Sequence, residues 1–294
     1  MSFRSGFISI IGLPNAGKST LYNRLVGEKL SVVNPKAQTT RHRILGIVNK
    51  ENAQLIFSDT PGMVRKVSNR MHEQMVGFIY ESLEDADVMV YLANPGEKEI
   101  PDNIARRVAA SKAKLIIALN KIDLSKQDEI ESEIKHWRGQ PGVHTVIPLS
   151  ALHGFNITAL EKEIIDLLPE HPAYFPEDQL TDKTERFFSA EIIRGQALTH
   201  YSKEIPYSIE VVVTDFKDHP TILRIRAEIF CERESQKAIL IGENGRALKR
   251  TGTAARKELE GFFGKKVFLE THVKVREDWR DNDRMLRQFG YRPD

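Results

Sequence analysis

Eight residues, GLPNAGKS from Gly12 to Ser19, constrain this chain more than any other stretch. The run before them, FISII (7–11), is β-branched and aromatic; the run after them places Leu21, Leu25 and Val26 on one helical face. Strand, glycine-rich loop and helix form the context in which Gly12-x4-Gly17-Lys18-Ser19 wraps backbone N–H groups around a phosphate chain at a helix N-terminus. Gly12, Asn15, Ala16, Gly17, Lys18, Ser19 and Thr20 are then the phosphate cradle. Lys18 would reach the β- and γ-phosphates, and the Ser19 hydroxyl would ligate Mg²⁺.

The 294 residues suggest two domains of roughly 150 residues each. Hydrophobic residues at 40% and charged residues at 29% match ordinary globular material, and no apolar stretch reaches the roughly 18 residues of a membrane span. The start, MSFRSGFISIIG, runs straight into the glycine-rich loop and is expected to belong to the mature protein. The lone cysteine, Cys231, excludes an intramolecular disulfide framework, is expected to be an inert core residue, and makes a reducing cytoplasm the natural compartment.

To about residue 168 the pattern is that of an α/β layered sheet. The expected strands are RILGIV (43–48), AQLIFS (53–58), DVMVYLA (87–93), KLIIALN (114–120) and TVIPLS (145–150). The third and fourth are apolar on both faces and belong at the centre of a mostly parallel sheet. Only NKEN joins the first two, which forces a hairpin and one antiparallel edge strand. From 168 to 182 three prolines interrupt regular structure, so the expected organisation is a first domain over 1–168, a linker over 169–182 and a second domain over 183–294.

Three further motifs stand at strand ends. In Asp59-Thr60-Pro61-Gly62, the aspartate can hold Mg²⁺ through a water while the Gly62 N–H meets a γ-phosphate. In Asn120-Lys121-Ile122-Asp123, a carboxylate accepts from both N1–H and N2–H₂ of guanine, which adenine does not offer. Lys121 would lie along the base and Asn120 would tie neighbouring loops. In Ser150-Ala151-Leu152, the Ala151 N–H would meet the guanine O6. Carboxyl ends of parallel strands are where such sheets bind ligands.

GLPNAGKS, QTTRH (38–42), DTPG, NKID and LSA together resemble the five motifs of a translation-factor-type GTPase, and VVNPKAQTTRHRILGIV resembles the TrmE–Era group. The resemblance implies that Thr39 or Thr40 caps the γ-phosphate and Mg²⁺, with Thr40 preferred. It also offers Asn15 as a K⁺ ligand, against the alternative of a loop asparagine in an unusual backbone conformation. Met63 stands where many such enzymes carry a water-orienting glutamine, so hydrolysis by the isolated chain is expected to be slow.

In the second half, YSIEVVVTDF (207–216) and TILRIRAEIFCE (221–232) read as a hairpin, and KVFLETHVKVR (266–276) as a third strand. Residues 246–276 hold nine Lys or Arg against three Glu, a local +6 in a chain whose net charge is +2. Between two helical patterns lies Gly242-Glu243-Asn244-Gly245, a loop that lets a nucleic-acid backbone approach closely. With its element order, this half resembles an α+β type II KH domain. Ile241, Gly242, Glu243, Asn244, Gly245, Arg246, Lys249 and Arg250 are the expected RNA contacts, with Ile239, Ile241 and Leu248 flooring the groove. The acidic Glu243 departs from the basic residue such loops often carry.

A P-loop GTPase domain followed by a KH domain implies, by resemblance, a monomeric switch cycling between GTP and GDP. Its implied target is the 3′ region of small-subunit ribosomal RNA, its role small-subunit assembly, and its location the cytoplasm with peripheral contact at the inner face of the membrane. An RNA chaperone that binds guanine nucleotide with little hydrolysis is the alternative. A metabolic phosphotransferase is disfavoured by NKID.

Overall fold

The computed structural model describes residues 2–36, 38–63 and 67–291. Contacts divide them into two units. Val32–Thr39, residues 67–74 and everything from Lys183 onward form the second; the rest of the chain up to Asp182 forms the first.

The first unit is built on a six-stranded sheet. Its elements are β1 (Arg4–Gly12), α1 (Lys18–Val26), β2 (Ile44–Lys50), β3 (Ala53–Asp59), α2 (Arg70–Glu84), β4 (Val88–Ala93), α3 (Asp102–Ala110), β5 (Lys114–Leu119), α4 (Gln127–Arg138), β6 (Val143–Pro148) and α5 (Ile157–Leu167). The strand order is β2-β3-β1-β4-β5-β6, parallel throughout except for the antiparallel β2–β3 pair. All of β4 is buried, as its unbroken apolar sequence requires when helices cover both faces. On one face Ile79, Leu83, Ile104 and Trp137 pack over Met89, Tyr91 and Ile117. Parallel strands share one carboxyl edge, which places the loops after β1, β3, β5 and β6 together.

Residues 169–182, expected as a linker, hold no helix or strand but are hydrogen-bonded along the first unit. The free edge of β2 needs partners for its N–H groups. Ile47 donates to Leu180 O (2.8 Å), Leu45 donates to the Asp182 carboxylate (2.9 Å), and the Thr181 hydroxyl donates to Leu45 O (2.6 Å). Fully buried Gln54 fastens the same stretch: its Oε1 accepts from Tyr174 and Phe175 N–H (2.8 and 3.0 Å), and its Nε2 donates to Phe175 O (2.8 Å) and to Asn49 (2.8 Å).

The second unit contains α6 (Glu185–His200), β7 (Glu210–Asp218), β8 (Ile222–Cys231), α7 (Glu234–Ile241), α8 (Arg246–Phe263), β9 (Lys266–Val275) and α9 (Asp283–Gln288). Its sheet runs β7-β8-β9, antiparallel then parallel. Along β8 Leu223, Ile225, Ala227 and Ile229 point inward, alternating with Arg224, Arg226 and Glu228. They pack with Ile193 and Ala197 of α6 and with Ala255 and Leu259 of α8. Buried Cys231 has its thiol pushed up to about 11 by burial, as suits a core residue. The chain's final residues, 292–294, lie outside the described residues.

Replacing Gln54 with Leu strands two N–H groups and two acceptors, so the first unit is expected to lose about 1–3 kcal/mol. Urea unfolding followed by tryptophan fluorescence in a Trp279→Phe background, which leaves Trp137 of the first unit as the reporter, measures this; an unchanged midpoint contradicts the pinning role.

Candidate functional site

The glycine-rich loop takes its shape from local sterics. Gly17 has φ +101°, and a Cβ there would lie 2.5 Å from the Asn120 Nδ2; a Cβ on Gly12 would lie 2.7 Å from Leu92 O. Inside the loop Lys18 is buried, its ammonium donating to Gly12 O (3.1 Å) and Leu13 O (3.0 Å). Burial pushes it down to about 8, against the opposing pull of Asp59 and Glu97. Gly62 stands over the same ammonium: its Cβ position is 3.4 Å from Lys18 Nζ. Thr20 follows within α1, and Thr60 donates to Ile10 O (3.0 Å).

At the end of β3, Asp59 Oδ2 accepts three hydroxyls: Ser31 at 2.6 Å, Ser19 at 3.0 Å and Thr40 at 3.1 Å. Ser19 and Thr40 oxygens are themselves 2.9 Å apart. Asp59 Oδ1 is buried without a partner, and burial raises the carboxyl's pKa while the three hydroxyls and Lys18 oppose the rise. An orphaned carboxylate oxygen beside two hydroxyls is an oxygen donor set that suits a hard dication completed by phosphates and water. Mg²⁺ fits these residues. Among the described residues no group of three His, Cys, Asp or Glu is placed to hold a metal.

Of the two threonines, the structure brings Thr40 to Ser19 and Asp59; the Thr39 hydroxyl turns back to Lys36 O (2.8 Å). Ser31 escaped the sequence analysis because nothing in its spacing marks it. Asn23 of α1 positions it, accepting from its N–H (2.9 Å) and donating to its carbonyl (2.7 Å).

Beyond β5, Asn120 ties two loops, donating to Ala16 O (2.7 Å) and accepting from Ala151 N–H (2.9 Å). The Ala151 N–H, expected to meet a base carbonyl, is here bonded to Asn120. Lys121, left-handed at φ 63°, donates to Asn15 O (2.7 Å). Asp123 takes the Ser150 hydroxyl, which holds its pKa below the usual carboxylate range, with His153 Nε2 3.7 Å away. Leu152 is exposed, and its carbonyl accepts from Arg24 (2.6 Å). Asn15 adopts φ 62°, the backbone conformation of the simpler alternative, and is exposed. Met63 is buried against the core containing Ile11 and Ile79.

In the second unit Gly242 (φ +71°), Asn244 (φ 51°) and Gly245 (φ +74°) make a tight turn between α7 and α8, with Glu243 and Asn244 exposed. The two glycines differ. A Cβ on Gly242 would lie 2.6 Å from the Ala247 Cβ, whereas nothing lies within 4 Å of that position on Gly245. Gly242 therefore serves the packing of the turn, and Gly245 leaves its outer face open. Beside it a groove of about 340 Å³ is lined by Gly245, Leu248, Lys249, Arg256 and Leu269. Leu248 lies where expected; Ile239 and Ile241 are not among its walls, and Ile239 is exposed. Arg246, Lys249 and Arg250 are exposed on α8, where they also flank His200.

A doubly covered parallel sheet with a phosphate loop, a guanine-type NKxD turn and a following KH fold defines a P-loop GTPase carrying an RNA-binding-type domain. A family model described as a 50S ribosome-binding GTPase matches residues 7–121, and one described as a KH domain matches residues 204–280. The GTPase Era of Syntrophus aciditrophicus is 45% identical over 98% of this chain and 95% of its own length, and that of Alkaliphilus metalliredigens is 42% identical over 99% and 100%. A crystal structure of Era with MgGDPNP and nucleotides 1506–1542 of 16S ribosomal RNA superposes with TM-score 0.93 at 39% identity, covering 99% of this chain and 100% of that one. A variant of Aquifex aeolicus Era bound to GDP and AlF₄⁻ gives 0.94 at 38% identity, with the same coverage. The chain belongs to the Era family of GTPases.

The lowered Lys18 pKa sets a pH dependence. A bound phosphate chain restores the proton, so the complex holds its ammonium at pH values where the free chain has lost it. Nucleotide affinity is thus expected to be full a unit or more below pH 8 and to fall as pH rises through it, toward tenfold per unit above. Titrations with GDP from pH 7 to 9, with proton uptake read calorimetrically in two buffers at pH 8.5, measure the effect. A flat profile without uptake contradicts it.

Proposed function

We propose that this chain is a GTP-operated switch that binds the 3′ region of small-subunit ribosomal RNA and assists small-subunit assembly in the cytoplasm. The observation that carries the reading is the Ser19–Thr40–Asp59 hydroxyl cluster, at the mouth of a phosphate loop in a chain that also carries the open Gly245 turn. The solved relative bound to MgGDPNP and to nucleotides 1506–1542 of 16S ribosomal RNA holds both classes of ligand.

In this reading Gly12, Asn15, Ala16, Gly17, Lys18 and Thr20 cradle the phosphates and Gly62 meets the γ-phosphate. Ser19, Thr40 and Asp59 hold Mg²⁺, which supplies charge neutralisation between the phosphates. Asp123 reads the guanine edge, Lys121 and Leu152 flank the base, and Asn120, Ser150 and Ala151 fix the loops around it. The Met63 side chain is committed to the core, so turnover by the isolated chain is slow. Asn15 is the group we assign to K⁺. Turnover in potassium against sodium salts, and flotation with anionic vesicles, check that cation and the peripheral membrane contact.

Asp123→Asn is expected to move preference from GTP to XTP, because the amide loses the paired acceptor but can donate to the xanthine carbonyl at position 2. Competition binding decides; a retained preference for GTP removes Asp123 from base reading.

RNA affinity is expected to be higher with a non-hydrolysable GTP analogue than with GDP, by a factor within the ~5–150 typical of such coupling. Gly245→Asp, which adds a negative charge at an open position, should weaken RNA binding by about tenfold in both states, and Gly245→Asn, which shares the backbone strain of φ +74° without the charge, should weaken it less. Fluorescence titration with RNA of nucleotides 1506–1542 of 16S ribosomal RNA tests both. Equal affinities in the two nucleotide states would leave a nucleotide-binding RNA chaperone.

A further inference from the structure

Residues 32–36 and 38–39, which lead into Thr40, are held at several points by one helix of their own unit, α6. Val32 lies on Gly195, where a Cβ would come within 2.8 Å of its methyl. Asn34 donates to the Thr199 hydroxyl (3.0 Å). The Lys36 ammonium caps the end of the helix, donating to Leu198 O and to Tyr201 O (2.5 Å). Arg194, fully buried and paired with Glu191 (2.5 Å), donates to Gln38 O (3.3 Å) and to Thr39 O. One peptide unit, 3.8 Å between Cα atoms, separates the last of these anchors from Thr40.

The same end of α6 reaches the turn that carries the two glycines. The buried Tyr201 hydroxyl donates to Leu240 O (2.7 Å), two residues before Gly242, and accepts from the Thr251 hydroxyl of α8 (3.2 Å). Arg250 donates to His200 O (3.1 Å). Tyr201 is therefore held through its carbonyl by Lys36 and holds the α7–α8 turn through its phenol.

We propose that Lys36 and Tyr201 are the positioning pair through which nucleotide state reaches the Gly242–Gly245 turn. This rests on the reading that GTP and GDP forms differ in RNA affinity. When Thr40 leaves its place beside Ser19, the strand of chain behind it must slide on α6 or pull from it, because the Arg194 and Lys36 anchors leave no slack. Lys36 then no longer caps Leu198 and Tyr201, the last turn of α6 relaxes, and the phenol that fixes Leu240 shifts with it. Coupling of this kind is a property of a pair, so it is measurable as a cycle.

The experiment uses the full chain, fluorescein-labelled RNA of nucleotides 1506–1542 of 16S ribosomal RNA, and Kd in the GDP and GTP-analogue states. The variants are Lys36→Met, which keeps the stem and removes the donor, Tyr201→Phe, which keeps the buried ring, and the double variant. The expected result is a wild-type affinity ratio of ~5 or more that falls to about 1 in each single variant and falls no further in the double. A side chain with only a structural role would lower both affinities and leave the ratio intact. Full wild-type coupling in Tyr201→Phe or Lys36→Met overturns the pair while leaving the switch reading standing; a wild-type ratio of 1 overturns both.

Discussion

Asp59 is the residue on which the first unit's chemistry depends. One carboxylate oxygen at the end of β3 gathers a hydroxyl from the phosphate loop, one from the segment after α1 and one from Thr40. A buried charge is costly unless fully hydrogen-bonded, so three donors on one oxygen and none on the other leave a group that a dication would complete. This arrangement also explains the placement of Ser31 by Asn23, since a hydroxyl swinging freely at the end of a loop would not hold the carboxylate through burial.

The second consequence is that Thr40 has two masters. Its hydroxyl belongs to the Asp59 cluster, while the chain immediately before it belongs by its contacts to the second unit. Residues 67–74 are counted with that unit too: Arg70 N–H donates to the Asp281 carboxylate (3.0 Å), and its guanidinium pairs with Asp283 (2.5 Å). His72 joins the two segments, lying 3.0 Å from Gln38 Nε2 and 3.0 Å from the Ser68 hydroxyl. Residues 37 and 64–66, beside these two segments, lie outside the described residues.

Much of this was legible in sequence because it rests on short-range rules. Glycine spacing, the hairpin forced by NKEN and the doubly apolar runs 87–93 and 114–120 each follow from local sterics or from burial on two faces, and the sheet has the antiparallel pair at one edge with β4 and β5 inside it. Thr40 entered only through the resemblance of QTTRH to a GTPase motif, which left Thr39 beside it as an alternative; the hydroxyl contacts separate the two. What was not legible depends on contacts between residues distant in sequence. Arg194 reads as one charge on an ordinary helix until it is found wholly buried on Gln38 and Thr39 carbonyls. Gln54 reads as a polar interruption of a strand, yet it holds residues 174–175. Gly242 and Gly245 look equivalent as a GxxG pair, and only the Ala247 side chain separates them. Composition gave no sign that the proline-bearing stretch would satisfy the free edge of β2.

The central claim is that segment 32–39 answers both to the nucleotide and to α6. Hydrogen–deuterium exchange on the full chain, with Mg²⁺ and either GDP or a non-hydrolysable GTP analogue, tests it most directly. Peptides spanning residues 31–40 and 238–252 are expected to change protection together when the nucleotide is exchanged, while the interior of β8 does not. A change confined to 31–40, with 238–252 indifferent to the nucleotide, would contradict it.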